Sequence, residues 1–157
     1  MSPGIEIVEV NTIEELEDVR KLFRSYQAEL LTQYRFPDSE WQTLPGAYSP
    51  PRGTLLLARI VGQPAGCVGL RPFPLKGACE MKRLYVQTAF RGENLGRLLA
   101  EQIIQAARRL GYTRMRLDTH PPTMSAAVAL YRRIGFAEVP SFPAPSVGGL
   151  LYMELIL

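Results

Sequence analysis

Cysteine and histidine are scarce in this chain of 157 residues: Cys67 and Cys79 are the two cysteines, and His120 is the one histidine. Two cysteines cannot build a disulfide framework, nor a structural zinc site by themselves. A stapled secreted scaffold and a zinc finger are therefore excluded, and no metal is expected. No apolar run reaches the ~18 residues of a membrane span. Met1–Val10 lacks the basic start and apolar stretch of a secretion signal. The expectation is a reduced, cytoplasmic protein with no membrane partner. Hydrophobic residues make up 46% and charged residues 21%, globular values that exclude wholesale disorder. The length suits one domain over residues 1–157, long enough to bury a core without staples.

The net charge of +3 conceals a division. Residues 1–80 carry 8 basic and 10 acidic groups, whereas residues 81–157 carry 10 basic and 5 acidic ones. All ten basic groups of the second half lie between Lys82 and Arg133. Arginine supplies fifteen of the 18 basic residues, which favours bidentate contact with phosphate or carboxylate. By itself such an asymmetry is an ordinary solvated surface.

Ile5–Val10 alternates apolar and acidic residues, the mark of a half-buried strand. Thr12 and Glu15 form a capping box, and Ile13, Leu16, Val19, Tyr26 and Leu30 follow at helical spacing, predicting a helix from about Ile13 to Leu31. Thr32–Gly53 is irregular, rich in aromatics and proline, with room for a short helix near Ser39–Leu44. Thr54–Ile60, Ala65–Leu70 and Cys79–Val86 read as a meander of three strands. A helix follows with Leu95, Leu98, Leu99, Ile103, Ala106 and Leu110 on one face, capped by Gly111. Arg114–Thr119 is a strand, Pro121-Pro122-Thr123 starts another helix that Gly135 ends, Phe136–Val139 begins a strand, and Leu150–Leu157 is the last one. Six or seven strands and three or four helices, alternating only in the second half, make this α+β or α/β.

The unit Cys79–Leu110 carries the chemistry. A helix N-terminus presents unpaired N–H groups and partial positive charge, which suit phosphate. Close approach needs residues without a bulky Cβ, here Gly92 and Gly96, or tolerance of positive φ, here Asn94. Arg91 and Arg97 flank the loop. No Gly-Lys-Ser/Thr follows and the glycine spacing is not Gly-x-Gly-x-x-Gly, so P-loop and dinucleotide fingerprints are both excluded.

The run Glu80–Val86 followed by Phe90-Arg91-Gly92-Glu93-Asn94-Leu95-Gly96-Arg97 resembles the GNAT superfamily of acetyl-CoA-dependent N-acetyltransferases, whose signature is Arg/Gln-x-x-Gly-x-Gly/Ala. Ala127 to Phe136 looks like its second signature, Ala-x-x-x-Tyr, three residues, then Gly-Phe. The resemblance implies the GNAT fold, a mixed central sheet of six to seven strands flanked by about four helices. It implies acetyl-CoA as cosubstrate, bound between the strands Glu80–Val86 and Arg114–Thr119. The backbone of Leu84, Tyr85 and Val86 would pair with the pantetheine arm. The N–H groups of Gly92, Asn94, Leu95, Gly96 and Arg97 would cradle the pyrophosphate beside Arg91. Tyr131 matches the family's usual acid, and Glu80, eleven residues before Arg91, stands where many members carry a base. Two departures stand out. Asn94 replaces a signature glycine, and Met124 stands where an Asn often contacts pantetheine, with Ser125 as its substitute.

The implied reaction is direct acetyl transfer in a ternary complex to a primary amine, on a small molecule or a peptide. A non-catalytic acyl-CoA-binding module on the same fold is the rival. A nucleic-acid partner has no reader motif to support it. A homodimer stays open, since dimers are common among similar proteins. Cys67 and Cys79 read as buried packing residues, His120 as a loop residue near the site. The aromatic loop Tyr34–Tyr48 and the Pro-rich loop Pro140–Gly149 read equally as walls of an acceptor pocket and as lids on the core.

Overall fold

The computed structural model describes residues 4–122, 124–141 and 148–157. Its strands are β1 (Ile5–Glu9), β2 (Thr54–Ile60), β3 (Gln63–Pro72), β4 (Ala78–Val86), β5 (Arg114–Thr119), β6 (Ala137–Glu138) and β7 (Leu151–Ile156). They form one sheet in the order β1-β2-β3-β4-β5-β7-β6. Neighbours pair antiparallel except β4 and β5, which run parallel. The helices are α1 (Ile13–Glu29), α2 (Asp38–Gln42), α3 (Leu95–Arg109) and α4 (Ser125–Ile134), and α3 makes the crossover that a parallel pair requires.

Local chemistry sets the helix ends. The Thr12 hydroxyl accepts from the Glu15 N–H and the Glu15 carboxylate accepts from the Thr12 N–H, the reciprocal box expected at the start of α1. At the end of α3, Gly111 has φ +89°, the Gly111 N–H donates to the Arg108 carbonyl, and the Tyr112 N–H donates to the Ala107 carbonyl. That is a Schellman cap, for which a side chain at position 111 would be strained. Helix α4 begins at Ser125, later than Pro121-Pro122-Thr123 suggests. Pro122 biases Pro121 toward extended backbone, and the Met124 N–H folds back on the His120 carbonyl at 2.9 Å before the helix can propagate. The expected strand at Phe136–Val139 shrinks to two residues, framed by Gly135 and Pro140 on the sheet's edge.

Two apolar layers cover the sheet. On one face Leu56, Val68, Leu70, Cys79, Met81, Met115, Leu117 and Met153 pack against Leu95, Leu99 and Ile103 of α3 and Tyr131 of α4. On the other face Leu55, Leu57, Cys67 and Tyr85 pack against Val19, Leu22 and Phe23 of α1 and against Phe36, Leu44 and Tyr48. β2 is therefore buried on both faces, which accounts for its unbroken apolar run. Phe23 meets both Phe36 and Tyr48 edge-on, at ring separations of 6.1 and 5.9 Å. These two loop aromatics are core, not pocket wall.

Candidate active site

The parallel pairing of β4 with β5 is short. It joins Ala78 to Arg114, Cys79 to Met115 and Glu80 to Arg116, and stops there. β4 continues to Val86 paired with β3, and β5 continues to Thr119 paired with β7. Beyond Glu80 and Arg116 the inner edges of the two strands thus face each other without a ladder, and a wedge opens in the middle of the sheet. A bulge adds to the bend. Tyr85 pairs with Cys67 and Lys82 with Gly69, so Arg83 and Leu84 together oppose Val68. Arg83 takes up the extra residue with φ +60°.

That bulge is pinned from the α1–α2 face. The Arg83 guanidinium donates to both Glu40 oxygens, at 2.5 and 2.7 Å, and lies 3.9 Å over the Phe36 ring. Burial would raise the Glu40 carboxyl, but the Arg83 hydrogen bonds and charge overcome it and hold the group below the usual carboxylate range. Tyr85 turns its ring onto Tyr26 at 5.2 Å and donates its hydroxyl to Glu29. Glu29 also receives Arg91 at 2.8 Å. Burial pushes the Glu29 carboxyl up, and these two donors more than reverse it.

At the far end of β4 the chain enters the glycine loop and α3. Asn94 is the N-cap, left-handed at φ 62°, ψ 19°, and its side chain caps nothing. No acidic residue stands in the first turn. Among the described residues the N–H groups of Leu95, Gly96 and Arg97 have no acceptor, and the first helical bond is from Leu98 to Asn94. A Cβ on Gly92 would meet nothing within 4 Å, and one on Gly96 only Val86 Cγ2 at 4.0 Å. The fold itself does not fill this cradle, which fits a phosphate-sized anion. Of the flanking arginines, Arg97 pairs with Glu101 and Arg91 with Glu29, both half-exposed contacts of little energetic weight. Arg91 Nε also donates to the Val86 carbonyl at 3.0 Å, so one of the backbone groups expected to pair with pantetheine already has a partner.

Tyr131 sits inside α4 on the wedge's other face, 7% exposed, edge-on to Phe136 at 5.7 Å. Burial, then the phenol of Tyr26 and the Asp118 carboxylate, push its hydroxyl well above the ordinary tyrosine value. Tyr26 on α1 is pushed up to about 12, chiefly by burial, with Arg83 opposing and Asp118 adding. Tyr26, Asp118 and Tyr131 therefore share one electrostatic neighbourhood. Tyr26 looked like an ordinary core aromatic on an amphipathic helix, and Asp118 like the end of a strand. Their convergence depends on pairing between distant segments, so no local pattern announces it.

Glu80 lies at the last paired register, 8% exposed, with Arg71 Nε at 2.9 Å. Ser125 is the exposed first residue of α4, and Thr119 donates its hydroxyl to Met124 Sδ at 3.6 Å. His120 is buried and stacks on Tyr34 at 4.3 Å, while Tyr34 donates to the Gly148 carbonyl at 3.0 Å. Most of the Pro-rich loop, residues 142–147, lies outside the described residues. Trp41 lines a surface cavity of about 330 Å³ with Arg24, Gln27, Ala28, Arg35 and Asp38. Both cysteines are buried thiols, and burial raises Cys79 to about 12 and Cys67 further, so neither is poised as a nucleophile.

The family model described as Acetyltransferase (GNAT) family matches residues 16–136. An uncharacterized N-acetyltransferase of Schizosaccharomyces pombe is 38% identical over 99% of this chain and 97% of its own. A Klebsiella pneumoniae structure, assigned as an acyl-CoA N-acyltransferase, superposes with TM-score 0.76 at 26% identity, covering 98% of this chain and 97% of that one. A Salmonella typhimurium structure, assigned as an acetyltransferase and solved with its cofactor acetyl-CoA, shares the fold at TM-score 0.76 and 19% identity, covering 98% and 94%. A mixed seven-stranded sheet with a wedge leading to an uncapped, glycine-lined helix start, together with these matches, places the chain in the GNAT family of acetyltransferases.

Proposed function

We propose that the chain transfers the acetyl group of acetyl-CoA to a primary amine, directly and within a ternary complex. The observation that carries this is the wedge between β4 and β5 running out to the open cradle at Gly92–Arg97. Acetyl-CoA supplies the acetyl thioester. Leu84 and Tyr85 would offer backbone groups to the pantetheine arm along the bulged edge, as would the N–H of Val86. Gly92, Asn94, Leu95, Gly96 and Arg97 would hold the pyrophosphate through their N–H groups, and Arg91 would add charge. Tyr131 would donate a proton to the departing sulfur from its place in α4; burial keeps its phenol protonated but also makes it a weaker acid, so the transfer would accompany the build-up of charge on sulfur. Glu80 would take the amine's proton through water, since its carboxylate is held on Arg71 just short of the opening. Ser125 would border the cleft from the start of α4.

Calorimetry with CoA tests the cleft, and a panel of amines screened by thiol release tests the transfer. Binding in the micromolar range and turnover of at least one amine are expected. Binding without any turnover would favour an acyl-CoA-binding module, and no binding would defeat both readings. Gly96→Trp should abolish binding, since an indole would fill the cradle.

A further inference from the structure

Lys82 and Asp118 occupy the place where β4 and β5 separate. Glu80 and Arg116 are the last paired residues, so two residues on, along the same face, come Lys82 and Asp118. No ladder joins the strands there, but Lys82 Nζ lies 3.5 Å from Asp118 Oδ2 across the gap. Both side chains are partly withdrawn from water, at 12% and 29% exposure. The contact is looser than its neighbour, in which Arg83 holds Glu40 through two short bonds. The negative charge of Asp118 also helps to raise the phenols of Tyr131 and Tyr26.

The residue type matters at this point. Arginine cannot shed its proton in a protein, whereas lysine can become a nucleophilic amine. The chain uses fifteen arginines and three lysines, and one of the three stands at the opening of the wedge. Its partner is a carboxylate rather than a backbone carbonyl: it holds the ammonium at the opening, and its oxygen 3.5 Å away is a group able to accept a proton. Lys21 and Lys76, the other two, are exposed. Chemistry without a site would modify those first.

We propose that Lys82 is an acceptor for the chain's own acetyl group, a self-acetylation site at the opening of the wedge, with Asp118 as its proton acceptor. This rests on the reading of the wedge as the acetyl-CoA cleft. Asp118 takes a proton from the Lys82 ammonium, and the freed lone pair of Nζ attacks the thioester carbonyl. The N–C bond forms, the C–S bond breaks, and its electron pair leaves on sulfur. Of the two protons the ammonium sheds, one passes through Asp118 to solvent and the other ends on sulfur as the thiol. The product is an uncharged acetyl-lysine, which removes a positive charge from the wedge.

The test incubates the full chain with acetyl-CoA and no added amine, followed by intact-mass measurement and peptide mapping. One acetyl group per chain, on Lys82, is expected, with Lys21 and Lys76 unmodified over the same interval. Lys82→Arg keeps the ion pair and should lose the adduct. Asp118→Asn should slow its formation about 100-fold, the scale of a lost proton acceptor. Acetylation of Lys21 and Lys76 as fast as Lys82 would overturn the proposal, as would no adduct on a chain that binds acetyl-CoA by calorimetry. No binding in that calorimetry would defeat the cleft reading, and this inference with it.

Discussion

The Tyr131 hydroxyl has no hydrogen-bond partner among the described residues, although its ring is buried against Phe136. Removing the oxygen therefore costs the fold little, because no hydrogen bond is lost with it. Tyr131→Phe should leave the melting temperature and acetyl-CoA affinity close to those of the parent. Under the proposed acid role it should lower kcat about 100-fold. An unchanged kcat would remove Tyr131 from the reaction. The tyrosine itself was legible, since its Ala127 and Gly135-Phe136 context is local in the chain. Glu80 was legible as a position, but its environment was not. Its ion pair with Arg71 arises from the antiparallel register of β3 with β4, and nothing nearby in the sequence encodes that partner.

Among the elements, β4 and α3 show which signals travel in sequence and which do not. The amphipathic stripe of α3, its Gly111 cap and the capping box of α1 are local, so they appear in the structure where the spacing puts them. The bulge at Arg83 does not appear in the sequence, because arginine is no signal for a left-handed backbone. What holds it there is tertiary, the Glu40 carboxylate and the Phe36 ring. Two glycines make the same contrast testable. A Cβ on Gly69 of β3 would sit 2.6 Å from the buried Tyr48 ring, whereas one on Gly96 of α3 has open space. Gly69→Ala should cost about 1–3 kcal/mol in chemical denaturation through overpacking. Gly96→Ala should cost no stability and leave acetyl-CoA binding close to that of the parent, because a methyl group meets only Val86 Cγ2 at 4.0 Å and the signature accepts glycine or alanine there. Equal destabilisation by both would contradict the open cradle.

At the scale of the whole molecule, the acidic front half and basic back half meet across the sheet. Glu40 reaches Arg83, Glu29 reaches Arg91, and Glu9 reaches Arg109, each pairing an early carboxylate with a late arginine. The charge split visible in composition is thus partly a set of long-range ties, and partly the field around the glycine loop. Among these three ties Glu40–Arg83 is the most buried, with side-chain exposures of 17% and 13%. The Glu40 carboxyl is held below its ordinary 4.5: burial raises it, and the hydrogen bonds and charge of Arg83 outweigh that. A depressed carboxyl binds fewer protons folded than unfolded, so its contribution is complete above about pH 4.5 and is lost as pH falls through the lowered value. Glu40→Gln should remove that contribution and leave Arg83 a charge without its counterion, costing about 3 kcal/mol at pH 7. Thermal melts across pH 7 to 3 check this. The gap between parent and variant should be widest at neutral pH and narrow on acidification below about pH 4.5. A gap that stays constant over the whole range would show that the Glu40 charge adds nothing to the fold.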